Sequence, residues 1–209
     1  MLNEDIVAVL LPINPEHPEP RKIKRVVEIL EKGGVIAYPT DTVYGLGCDL
    51  MNKQAIESLY QIKGMQRDKN LAFICPDLAD ISKYAIVENS VYRVLRRFLP
   101  GPYCFVLQAT RDVPKIVQMN KKTVGIRVPA NPVAQAIVRE LGRPIISTTA
   151  APPGTDPLID PWEIKETFPG LEIVIDAGGG GNVPSTVVDL SSGEIVIVRE
   201  GAGPIDDLV

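Results

Sequence analysis

Histidine is almost missing from this chain: His17 is the single example in 209 residues, set among prolines in a polar stretch. A Ser-His-Asp or Cys-His nucleophile system needs a positioned imidazole, and His17 is a poor candidate for one. A zinc site is excluded on the same inventory, because no Cys or His pair has ligand spacing. Cysteine is scarce too. Cys48, Cys75 and Cys104 are far apart, odd in number and embedded in apolar runs, which reads as buried reduced thiols in a cytoplasmic protein. No run approaches the roughly 18 apolar residues of a membrane helix. The opening MLNEDIVAVLL is acidic before a very short apolar run, unlike a signal peptide. Positive charge is not in excess: the formal net charge is −4, so no bulk attraction to nucleic acid or an anionic membrane is expected, although a local basic patch is compatible with it. The chemistry left to this chain runs on hydroxyls, Lys and Arg, and carboxylates.

What is present is an ordinary globular composition, 45% hydrophobic and 23% charged, at the length of one large domain. The 19 prolines are scattered and imply turns and stiff loops. Apolar runs and helical patterns alternate. Strands are expected over 7–11, 35–39, 71–75, 103–109, 123–128, 144–149, 172–176, 185–190 and 194–200. Helices are expected over 19–34, 52–64, 90–101 and 131–142. The first helix carries apolar residues at Ile23, Val26, Val27 and Leu30; the last has Asn131, Pro132 and Gly142 as its punctuation. Strands separated by helices imply βα units, and the helix-free end implies an antiparallel portion. The expected fold is a single α/β domain, 1–209, built on a twisted, mixed, largely parallel open sheet with flanking helices.

The densest polar segment is GGVIAYPTDTVYGLGCDL, residues 33–50, where a buried strand ends in Tyr38, Thr40, Asp41, Thr42 and Tyr44. Open α/β sheets bind ligands outside the carboxyl ends of their strands. Other strands end similarly, at Arg127, at Ser147-Thr148-Thr149 and at Arg199, while Ser185 and Thr186 follow the glycine-rich AGGGGNVPST. Each has an ordinary structural reading as a helix or turn cap, a surface ion pair, a flexible hairpin or a solvated loop. The glycines are not a P-loop, since no Gly-Lys-Ser/Thr follows and the next element is a strand. Together, hydroxyls with Lys63, Arg67, Lys69 and the arginines suit an anionic ligand such as a phosphate or carboxylate.

The motifs GGVIAYPTDTVYGLGCD, PGPYCFVL, VGIRVP, GRPIISTTAAPPG, PSTVVDL and VREGAG, in that order over about residues 19–203, resemble those of the YrdC/Sua5/TsaC family. The resemblance implies a concave basic cavity, double-stranded RNA binding, and synthesis of threonylcarbamoyl-adenylate from L-threonine, bicarbonate and ATP for tRNA modification. Thr40, Thr42 and Tyr44, with Ser147 and Thr149, would line the substrate cavity, and Arg127 would grip the threonine carboxylate. Lys63, Arg67, Lys69, Thr148, Ser185, Thr186 and Arg199 would hold the nucleotide. Any Mg²⁺ would arrive with ATP, because no carboxylate cluster is dedicated to a metal.

Two motifs depart from the family pattern. Met65 stands where the family has an arginine, and Ala151 where it has an asparagine in Thr-Ser-Ala-Asn. Losing one charge-assisted hydrogen bond in a dry site costs about 1.5–3 kcal/mol, so synthase activity is expected to be weakened. These departures, the TTAAPPG loop and the end of the chain just after REGAG are similar to the YciO branch, and imply a single-domain architecture. Hydrolysis of a threonylcarbamoyl group in the same cavity is the alternative chemistry. RNA binding through Lys63, Arg67, Lys69, Lys121, Lys122 and Arg127 is the non-catalytic alternative.

Overall fold

The computed structural model describes residues 8–66, 71–117 and 122–208. In chain order the strands are β1 (Val9–Pro12), β2 (Ile36–Tyr38), β3 (Gly45–Asp49), β4 (Ala72–Ile74), β5 (Tyr103–Gln108), β6 (Thr123–Arg127), β7 (Ile145–Thr149), β8 (Ile173–Asp176), β9 (Thr186–Asp189) and β10 (Val196–Arg199). The helices are α1 (Pro20–Glu31), α2 (Lys53–Lys63), α3 (Leu78–Tyr84), α4 (Asn89–Phe98), α5 (Pro132–Leu141) and α6 (Pro161–Thr167). These ten strands of the described residues join one mixed sheet in the order β1-β8-β2-β3-β7-β4-β6-β5-β9-β10. Parallel pairing links β1 to β8, β8 to β2, β4 to β6 and β5 to β9, and the remaining neighbours run antiparallel.

Local signals explain the elements. Ile23, Val26, Val27 and Leu30 are the buried face of α1, at the spacing that puts one apolar stripe on a helix. Asn52 and Asn131 cap α2 and α5 by accepting from Ala55 N and Ala134 N, each at 3.0 Å. Gly64 and Gly142 end the same helices at φ +62 and +70, a left-handed conformation that glycine adopts without steric penalty. The strand missing from the sequence reading is β3. Gly45 and Gly47 disguise it as a loop, yet a Cβ at either position would stand 3.0 Å from the ring of Tyr38. These two glycines let a buried tyrosine lie across the neighbouring strand. Because β3 turns back antiparallel to β2 and pairs with β7, antiparallel pairing also reaches the middle of the sheet.

Alternate residues send apolar side chains to opposite faces of the sheet. Phe73, Ile146 and Val174 join the larger core, which α2, α3, α4 and α6 cover through Ile56, Leu59, Ile81, Leu95 and Ile164. Ile74, Ile145, Ile173 and Ile175 point the other way, into a second core closed by Val26, Leu30, Val133 and Ile137 of α1 and α5. That second cover ends near β4. Among the described residues no helix lies over the same face of β6, β5, β9 and β10, and the uncovered half is where the polar residues gather.

Candidate functional site

The uncovered half of the sheet forms a cavity of about 360 Å³. Its floor is a row of small side chains in register across adjacent strands: Ser147 beside Ala72, Ala72 beside Gly125, and Gly125 beside Val106. Space exists because these residues are small. A Cβ on Gly125 would already stand 3.2 Å from Cys104 Sγ.

Polar groups enter from the loops. The six residues between β2 and β3 form a hydrogen-bonded turn in which Thr40 Oγ1 donates to Val43 O at 2.6 Å and accepts from Thr42 N at 3.1 Å. This turn directs Asp41 and Thr42 at Arg127, at the end of β6. Arg127 Nη2 donates to Asp41 Oδ1 at 2.8 Å and to Thr42 Oγ1 at 3.1 Å, and Asp41 Oδ2 accepts from Ala130 N at 3.0 Å. Arg127 is 8% exposed, and its buried Nε has no hydrogen-bond partner among the described residues. No carboxylate is among the described residues lining the cavity, whose charged members are Arg127 and Arg199.

Of the residues expected at the site, Thr40, Tyr44, Arg127, Ser147, Thr148, Thr149, Ser185 and Arg199 line this one cavity. Several hydroxyls are also structural. Ser147 Oγ accepts from the fully buried Tyr38 hydroxyl at 2.6 Å, and burial pushes that phenol up to about 12. Tyr44 donates to Gly178 O at 2.8 Å, with its own phenol pushed up by burial to about 12. Arg199 Nη2 donates to Ser185 O at 2.7 Å and so holds the cavity rim together.

Three expected residues do not line the cavity. Thr42 is buried behind it as an Arg127 partner. Thr186 spends its hydroxyl on the motif that follows β10, donating to Gly203 O at 2.6 Å and accepting from Gly201 N at 3.0 Å. Lys63 is 8% exposed and turns to the main chain after β7, where Nζ donates to Thr149 O at 2.8 Å and to Ala151 O. Burial lowers its ammonium to about 8. Arg67, Lys69 and Lys121 lie outside the described residues. Met65 packs against the larger core and does not line the cavity. As Lys63 and Arg127 are both buried, neither presents its charge to a nucleic-acid backbone.

Sequence reasoning missed the apolar part of the lining: Leu71, Ile74, Cys104, Val106, Val187 and Val198. It also read the glycine run 178–181 as a possible flexible hairpin. A Cβ on Gly181 would fall 2.1 Å from Thr42 O, and one on Gly180 2.7 Å from the Tyr44 ring. These glycines press the loop onto the Thr42–Tyr44 turn. Among the described residues no group of three His, Cys, Asp or Glu side chains is arranged to hold a metal, and no helix is long and apolar enough to cross a membrane.

A family model for Sua5/YciO/YrdC, described as telomere recombination, matches residues 28–201. YciO of Escherichia coli (strain K12) is 41% identical over 196 residues, covering 92% of this chain and 95% of the relative. A crystal structure of E. coli YciO superposes with a TM-score of 0.92 over 97% of this chain and all of the other, at 39% identity. A threonylcarbamoyl-AMP synthase of Hydrogenovibrio crunogenus (strain DSM 25203 / XCL-2) is 34% identical over 169 residues, 79% of this chain and 91% of the relative. P. abyssi Sua5 complexed with L-threonine has a TM-score of 0.89 at 28% identity, over 96% of this chain and 60% of that one.

Proposed function

Because the chain belongs to the Sua5/YciO/YrdC family, we propose that its cavity binds L-threonine and a nucleotide and makes threonylcarbamoyl-AMP, at a rate below that of a full synthase. The observation that carries this reading is Arg127: a largely buried cation, held by Asp41, that lines a cavity bordered by hydroxyls with no carboxylate among its described lining residues. A carboxylate ligand in the cavity would be drawn to this guanidinium, and charge-assisted bonds in such a site contribute about 1.5–3 kcal/mol each.

In the proposed reaction the threonine amine takes up bicarbonate, losing water, to give a carbamate. A carbamate oxygen then attacks the α-phosphorus of ATP, forming threonylcarbamoyl-AMP and releasing pyrophosphate. This demands positioning and charge neutralisation more than a histidine base. Arg127 orients the threonine carboxylate, and the Thr40 and Thr149 hydroxyls border the amino-acid end. Ser185 and Arg199 border the nucleotide end, and Mg²⁺ enters as part of the MgATP substrate. The reduced rate follows from Met65, which packs on the core where the family pattern has an arginine, and from Lys63, whose ammonium is already engaged by two carbonyls.

The test is incubation of the purified protein with ATP, Mg²⁺, bicarbonate and L-threonine, with mass spectrometry of the products and a family synthase run in parallel. Threonine-dependent threonylcarbamoyl-AMP is expected, more slowly than from the synthase. A folded protein that yields none while the parallel reaction succeeds would overturn the synthase assignment.

A further inference from the structure

A second depression lies outside the cavity, between the loop after β7, the start of α6 and the glycine-rich loop. It is an open groove of about 720 Å³, walled by Pro152, Pro157, Leu158, Ile159 and Val183 and carrying Asp156 and Glu163. No lysine or arginine is among its described lining residues. Ile159 is 47% exposed, Val183 49%, and the adjacent Trp162, the single tryptophan of the chain, 57%. Large apolar side chains gathered around a concave surface are a usual mark of an interaction site. Asp160 caps α6 by accepting from Trp162 N at 2.8 Å, and Glu163 sits in the first turn of the same helix.

We propose that this groove docks a basic, apolar segment of a partner protein. The choice of partner rests on charge: the groove's described lining pairs exposed apolar surface with carboxylates and holds no cation, so it disfavours phosphate backbones and anionic lipid and favours lysine or arginine set among aliphatic residues. Lys165 is held over the Trp162 indole, its Nζ 5.2 Å from the ring centroid, and is not among the groove's described lining residues. The groove also shares its walls with the cavity. Leu158 N donates to Ala150 O at 2.9 Å, directly after the Thr148–Thr149 wall, and Gly180 N donates to Ile159 O at 2.9 Å. Gly180 in turn lies against the Tyr44 ring. A docked segment would therefore stiffen the two loops that flank the cavity.

Trp162 makes the test direct. Its emission is followed while the full-length protein is titrated with two short extended peptides of equal length, one alternating lysine with leucine and the other glutamate with leucine. The lysine peptide is expected to give a saturable blue shift, and the glutamate peptide none. Asp156→Asn/Glu163→Gln should weaken the lysine peptide about tenfold, and Ile159→Ser should weaken it without altering charge. Asp206→Asn/Glu140→Gln removes the same total charge elsewhere and should leave affinity within about twofold of wild type. No shift with the lysine peptide, equal shifts with both peptides, or equal weakening in the two charge variants would overturn the proposal.

Discussion

Breaking the pair between Asp41 and Arg127 exposes how the cavity is built. Their side chains are 11% and 10% exposed, with 2.8 Å between Asp41 Oδ1 and Arg127 Nη2. Removing one partner of a buried pair strands the other charge, typically at 3–5 kcal/mol. Thr42 Oγ1 remains as an acceptor for Nη2, which places the expected loss for Asp41→Asn at the lower end, about 3 kcal/mol. Asparagine also has one acceptor oxygen where Asp41 uses two, for Arg127 and for Ala130 N. For a chain of this size each kcal/mol moves the midpoint by about 2–4 °C, so the melting temperature should fall by about 6–12 °C. Urea unfolding of wild type, Asp41→Asn, Arg127→Met and the double variant supplies the cycle. The double variant should lose less than the sum of the singles, by about 1–3 kcal/mol, because no charge is left stranded. Additive losses, or an Asp41→Asn variant within 2 °C of wild type (about 1 kcal/mol or less), would refute this account of the site.

Other perturbations separate the same ideas. Gly181→Ala puts a Cβ 2.1 Å from Thr42 O and should destabilise by more than about 2 kcal/mol in urea, whereas Gly179→Ala, with only an ordinary 3.9 Å contact, should be near neutral. Tyr44→Phe deletes the bond to Gly178 O and should lower stability by about 1 kcal/mol, read in the same unfolding assay. Burial pushes all three thiols up and so disfavours the reactive thiolate. Cys104, which lines the cavity, should be the first to react with a thiol reagent in the native state, and a cavity ligand should slow it. Lys63 has a folded value of about 8, below its ordinary 10.5. Between these values the unfolded chain binds the extra proton, so the Lys63 contribution to stability rises as pH increases from about 8 towards 10. Wild type minus Lys63→Met stability, measured across that window, should show the rise.

The parts of this molecule that are local in sequence were legible in it. The buried stripe of α1 and the Asn-Pro…Gly punctuation of α5 appear where expected, because periodicity and capping act within a few residues. Three elements were not legible. β3 was hidden by glycines that serve Tyr38 on another strand. The seven-residue helices α3 and α6 are too short to show a period, leaving only the caps Asp77 and Asp160 as signals. At the site the same division holds. Hydroxyls and arginines at strand ends were visible, and most line the cavity. The diversion of Lys63 was not, since the carbonyls that receive it lie 86 and 88 residues away. Nor was the apolar lining, because Cys104, Val106 and Val187 look like any strand interior until the missing helical cover on their face is known.

Calorimetric titration of the protein with L-threonine tests the central claim most directly, using L-threoninol, which lacks the carboxylate, as the matched ligand. If Arg127 bonds the threonine carboxylate, L-threonine binds and L-threoninol is weaker by at least about tenfold, the factor that 1.5 kcal/mol of charge-assisted bonding represents. Equal affinity for the two ligands, or no binding of L-threonine by the folded protein, would contradict it.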